Sequence, residues 1–178
     1  MLTLVKSVHC PGFPRRLRLT NAAARGLVLL TDFLTPDRVV VPLAARDKRG
    51  VLAELTRVLV ARTGGAYDEV LGAVQERESV LSTGIGDGVA IPHARSVTVP
   101  AFGVVAGVSP TPIPFDAIDG QPVQLFFLIV GPEAAAGPHV KALRRIARLV
   151  RYAEVRRKLI GADSAEAFCR TLVEVEAW

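Results

Sequence analysis

Two runs of the chain, Phe102 to Val108 and Val123 to Val130, are almost continuously apolar and are bounded by Gly or Pro. A strand with one wet face alternates polar and apolar residues, so a run without alternation reads as a strand buried on both faces. Such strands need a covering layer on each side, and helical patterns are present to supply it. Val51, Leu52, Leu55, Val58 and Leu59 form one apolar stripe, which Gly64-Gly65 stops. Tyr67, Val70, Leu71 and Val74 form a second, with Asp68 and Glu69 at its start and Arg77 at its end, as the helix dipole prefers. After Gly137-Pro138 a third stripe runs through Val140, Leu143, Ile146 and Leu149 in a helix read over 139–158, which puts His139 in the first turn. A final helix follows the cap candidates Asp163 and Ser164, with Glu166 placed for a capping box and Phe168, Leu172 and Val175 facing inward. Thr35-Pro36-Asp37-Arg38 marks a turn ahead of the β-branched Val39-Val40-Val41, a further short strand. Pro110, Pro112 and Pro114 exclude a helix between the two long strands and are read as loop and hairpin, closing at Asp119-Gly120. The expected class is α/β, a mixed β-sheet flanked by helices.

Charge bears on the class of partner. The net charge of +5 would suit nucleic acid if it were spread over the fold, but the first 25 residues hold five of the 22 basic residues and no acid. The remainder is balanced, 17 basic against 17 acidic residues. The arginines of the third helix are read as its solvated side, and no nucleic-acid partner is expected. Residues 1–29 are read as a basic N-terminal extension, or as residues ahead of the true start, and 30–178 as one domain. No apolar stretch approaches the roughly 20 residues of a membrane span, since Asp32 interrupts Leu27 to Leu34. Pro11, Pro14, Arg15, Arg16 and Arg18 break the window a secretory signal would occupy. Cys10 and Cys169 stand in unlike contexts, so no disulfide framework is expected and the chain is read as cytoplasmic.

The chemistry concentrates around His93. Gly84, Gly86 and Gly88 fall at alternate positions ahead of Val89-Ala90-Ile91, which reads as a turn before a short strand. They do not make a dinucleotide fingerprint, for no helix opens after them and no Walker lysine follows. Pro92 stiffens the backbone before His93, and Arg95 stands two residues on, where an extended chain points side chains the same way. A neutral imidazole is a good nucleophile, and a phosphoryl group on nitrogen is labile enough to pass on. Transfer of that group is mainly positioning and charge neutralisation, which arginines, hydroxyls and amides provide. Arg77, Ser82, Thr83 and Arg95 lie close in sequence, and His139 at a helix start is a suitable phosphate neighbour. His9, His93 and His139 are too dispersed for a zinc site, and no G-x-S-x-G is present for a hydrolase.

Arg77-Glu78, the run Ser82-Thr83-Gly84-Ile85-Gly86-Asp87-Gly88-Val89-Ala90-Ile91-Pro92-His93-Ala94-Arg95, the later Phe115-Asp116-Ala117-Ile118-Asp119-Gly120-Gln121-Pro122-Val123, and His139 arrive in one order. In these the chain resembles the enzyme IIA domains of the fructose/mannitol class of the bacterial phosphoenolpyruvate-dependent phosphotransferase system, including the stand-alone nitrogen-regulatory members. The likeness covers about Leu30 to the C-terminus. It implies a mixed sheet flanked by helices and a phosphotransferase with a phosphohistidine intermediate, needing no cofactor and no metal. His93 would accept phosphate from the phosphocarrier protein HPr, or a paralogue, and pass it to a cysteine of a separate enzyme IIB. In the alternative, phosphorylation of His93 would control binding to a regulatory target protein. Arg77 would contact the phosphoryl oxygens, His139 would be the second active-site histidine, and Asp87 the acidic residue near the loop. Ser82, Thr83 and Arg95 would line the phosphate site.

Overall fold

The computed structural model describes residues 29–177. The readings made for residues 1–28, Cys10 among them, lie outside the described residues. Six strands form one mixed sheet: β1 (Val39–Val40), β2 (Gly84–Gly86), β3 (Val89–Ala90), β4 (His93–Arg95), β5 (Gly103–Ile113) and β6 (Val123–Gly131). Five helices flank it: α1 (Lys48–Thr63), α2 (Tyr67–Val80), α3 (Ala136–Val150), α4 (Ala153–Ile160) and α5 (Ala165–Glu176). The strand order is β1-β5-β6-β3-β2, and β4 also pairs with β6.

β6 is the centre. It runs antiparallel to β5, while β3 lies parallel to its Leu125 and Phe126, and β4 parallel to its Ile129, Val130 and Gly131. Its apolar sequence, interrupted only at Gln124, follows from burial on both sides. Leu125, Phe127 and Ile129 pack into one core with Ile146, Phe168 and Leu172 of α3 and α5. Phe126, Leu128 and Val130 pack into the other with Leu55, Leu59 and Val74 of α1 and α2. Side-chain alternation along one strand thus builds two separate cores.

Four details differ from the sequence reading. β5 does not stop at Val108 but continues to Ile113, with its register against β6 shifting between those residues. Pro110 and Pro112 sit in this irregular, exposed stretch, where a missing ladder donor costs little. The single helix read over 139–158 is two, broken at Arg151-Tyr152. Arg156 Nη1 donates to the Val150 and Arg151 carbonyls at 2.7 and 3.0 Å, taking up acceptors that the end of α3 leaves open. Ser164, not Asp163, caps α5 through the Ala167 amide, so Glu166 falls one position short of a capping box. The glycine-rich run is itself strand–turn–strand, with Asp87 and Gly88 at φ 54° and 75° forming the two-residue turn that joins β2 to β3.

Candidate functional site

His93 opens β4, whose pairing with the end of β6 is held by the Ile129 amide on the Pro92 carbonyl at 2.9 Å. Because β4 is extended, Arg95 follows on the same side, with buried Ala94 between them. α3 begins five residues after β6 ends and brings His139 to the same place from its first turn. The two imidazoles stand edge to face, 5.7 Å between centroids at 73°, and the Phe102 ring stands edge to face with His139 at 6.2 Å. α2 contributes Arg77, whose Nη1 donates to the Leu81 carbonyl at 2.9 Å. These four side chains border an open cleft of about 530 Å³, walled also by the apolar Val80, Val140 and Leu143.

The electrostatics favour an anion beside neutral rings. Burial pushes the His93 imidazole below its ordinary value and the Arg77 charge pushes the same way, while the Ile91 hydrogen bond and Glu78 oppose them. His139 is pushed down to about 4, by burial first and then by the charges at His93 and Arg95. His93 Nδ1 lies 2.8 Å from the Ile91 carbonyl oxygen. A carbonyl only accepts, so Nδ1 carries the hydrogen in the neutral ring and Nε2 keeps the lone pair. Arg95 is paired with Glu133 at 3.2 Å, both partly exposed, so its charge can be shared with an incoming group. The α3 N-terminus has no side-chain cap, and the positive end of the helix dipole faces this region. Among the described residues no three His, Cys, Asp or Glu side chains gather closely enough to hold a metal ion.

His93, His139, Arg77 and Arg95 are therefore brought together, and three further candidates lie outside the cleft walls. Ser82 Oγ donates to the Phe115 carbonyl at 2.8 Å. Thr83 is buried, with its amide and hydroxyl on the Glu78 carboxylate. Asp87 is directed to Arg156 of α4 at 3.1 Å. Sequence reasoning missed the part Glu78 plays. It falls on the buried stripe of α2 with Val70 and Val74, and its carboxylate meets Lys48 Nζ at 2.8 Å. A carboxylate in phase with an apolar stripe was the available signal. Phe102 and Glu133 carry none, since their contacts with His139 and Arg95 are made only by folding.

Residues 32–175 match the family described as phosphoenolpyruvate-dependent sugar phosphotransferase system, EIIA 2. The chain is 37% identical over 144 residues to a nitrogen regulatory protein of Bradyrhizobium diazoefficiens, covering 80% of this chain and 94% of that one. It is 34% identical over 142 residues to the fructose-specific EIIABC component of Bacillus subtilis, covering 78% of this chain and 22% of that one. Its fold matches the crystal structure of the nitrogen regulatory protein IIA-Ntr of Neisseria meningitidis with a TM-score of 0.75 at 30% identity, over 80% of this chain and 98% of that one. The mixed sheet flanked by helices is the fold of a phosphotransferase enzyme IIA domain. The chain belongs to the EIIA type 2 family of the phosphotransferase system. No described helix is long and apolar enough to cross a membrane.

Proposed function

We propose that this protein is a phosphoryl carrier in which His93 Nε2 takes a phosphoryl group from the phosphohistidine of HPr or a paralogue. The Nε2 lone pair forms the new bond to phosphorus as the donor's P–N bond breaks, and that electron pair returns to the donor's ring nitrogen. The observation that carries the reading is the His93 Nδ1 contact with the Ile91 carbonyl, which leaves Nε2 as the nucleophilic nitrogen in a cleft bordered by two arginines. Nδ1 keeps its hydrogen throughout, so the acceptor needs no base. Its depressed pKa keeps the ring nucleophilic at neutral pH. Arg77 and Arg95 neutralise the phosphoryl oxygens, and His139, held neutral, offers a ring N–H without adding a charge.

In sugar uptake of the fructose/mannitol type, a thiolate on a separate enzyme IIB would attack the phosphorus next, returning the electron pair to Nε2. A second reading is regulatory, with the state of His93 controlling association with a target protein. Its specific support is the nitrogen regulatory relative, which aligns over 94% of its length, against 22% for the fructose-specific relative. The first test is incubation with phosphoenolpyruvate, enzyme I and HPr, read by intact mass. One acid-labile phosphoryl group is expected on the parent and none on His93→Ala, and equal labelling of both overturns the proposal. Adding a fructose-type enzyme IIB to the phosphorylated protein then separates the readings, since the carrier in uptake loses its label and the regulator keeps it.

A further inference from the structure

Behind His93 lies a connected set of polar groups that does not touch the cleft. Glu78, its side chain 4% exposed, accepts the Thr83 amide at 3.1 Å on each carboxylate oxygen and also the Thr83 hydroxyl. The Thr83 carbonyl accepts the Ile91 amide at 3.0 Å, and the Ile91 carbonyl accepts His93 Nδ1–H at 2.8 Å. At the other end Lys48 Nζ sits 2.8 Å from Glu78, 3.0 Å from Asp116 and 3.1 Å from the Phe115 carbonyl. With these partners Lys48 is held above its ordinary pKa although burial acts against it.

Resting on the reading of His93 as the acceptor, we propose that Glu78, anchored by Lys48, is a positioning residue for the reaction. Through Thr83 it fixes the Ile91 carbonyl that holds His93 with its hydrogen on Nδ1 and its lone pair on Nε2. The linkage runs through hydrogen-bonded positions, beside the direct charge of Glu78 that opposes the lowering of the His93 pKa. The Ile91 carbonyl belongs to the peptide before Pro92, which has no N–H, so no other bond of that peptide orients it. The chain is held on either side of it, by the Ile129 amide on the Pro92 carbonyl and by the Ile91 amide on the Thr83 carbonyl, and Thr83 is in turn held by Glu78. A buried carboxylate with every partner satisfied is rigid, and a displacement of about 1 Å in a reacting group costs on the order of 10²-fold in rate. The placement of a charge on the apolar stripe of α2 acquires a reason: an apolar residue there would keep the core and lose the hold on Thr83.

The test combines ring-nitrogen NMR of histidine-labelled protein with steady-state transfer from phospho-HPr. The parent is expected to show His93 as the Nδ1–H form. Glu78→Gln keeps the shape but cannot accept all its donors, and Thr83→Val removes the hydroxyl while keeping the amide. Both are expected to give a mixture of tautomers and a fall in kcat of roughly tenfold or more, with KM changed by less than about twofold. Thr83→Ser is expected to restore both readouts. If Glu78→Gln fails to fold, the Thr83→Val and Thr83→Ser pair decides. A folded Glu78→Gln or Thr83→Val with the parent's tautomer and kcat overturns the proposal. A parent that takes no phosphate overturns the carrier reading instead, and the tautomer then decides the positioning alone.

Discussion

Burial that holds the His139 imidazole down to about 4 also makes folding depend on pH. The unfolded chain takes up that proton near pH 6.5, and the native ring does so only near 4. Unfolding therefore binds a proton in this window. Stability is full above pH 6.5 and falls as the pH drops to about 4, by at most ~3.5 kcal/mol at ~1.4 kcal/mol per pH unit, less where the cleft admits water. Urea unfolding at pH 7 and pH 4.5 should show His139→Gln losing less stability on acidification than the parent, by roughly 2 kcal/mol. An equal loss in both would place the acid sensitivity elsewhere. Arg77→Ala should fold normally and slow transfer by about 10²-fold if its guanidinium acts in the transition state. A rate within twofold of the parent, by stopped-flow transfer from phospho-HPr, removes Arg77 from the chemistry. At this scale the sequence was informative where geometry is local. His93 and Arg95 share a side because an extended chain repeats every two residues, and His139 falls in a first turn because Pro138 marks a helix start. Asp87 was misleading for the opposite reason: its partner Arg156 is 69 positions away, and no local pattern announces that pair.

Elements were legible where hydrophobic period and turn residues agree, as in α1, α2, β6 and the turn after Gly86. They were not where a tertiary contact decides the boundary. Nothing periodic separates α3 from α4, and the break is stabilised by Arg156 reaching back to two carbonyls. β5 passes through two prolines because its last turn of pairing, Ile113 with Val123, buries Ile113 against Phe115 and Phe126. The β2–β3 hairpin carries a further constraint. A Cβ on Gly84 would lie 2.7 Å from both Cα and Cβ of Ala117, and the Gly84 carbonyl already accepts the Ile118 amide at 3.0 Å. The obstruction is backbone, so it cannot rotate away. Gly84→Ala should lower stability by ~1–3 kcal/mol through overpacking. Because Gly84 adjoins Thr83, the same variant should also disturb the His93 ring tautomer, which distinguishes it from Gly72→Ala, where a Cβ meets nothing within 4 Å. Thermal unfolding and histidine NMR of the two variants check both effects.

At the scale of the molecule, the fold brings His93, His139, Arg77 and Arg95 to one cleft whose wall also carries apolar residues. Val80 and Val140 wall the cleft and remain 79% and 41% exposed. Isolated exposed apolar residues need no explanation, but two in the wall of a cleft that holds two histidines and two arginines are suited to exclude water when a protein surface closes over them. On the proposed carrier function, a phosphoryl group bound for another protein would travel through such a contact, since open water would compete for it. Val80→Asp should therefore weaken docking while leaving the nucleophile intact. A charge buried at the centre of an interface is expected to raise KM for phospho-HPr by roughly 10- to 100-fold, with kcat little changed. Phosphoramidate, a small donor with the same P–N bond, needs no docking surface, so it should label Val80→Asp and the parent equally. A parallel loss with both donors would mean that Val80 supports the site itself. An unchanged KM would mean that the partner approaches over another face.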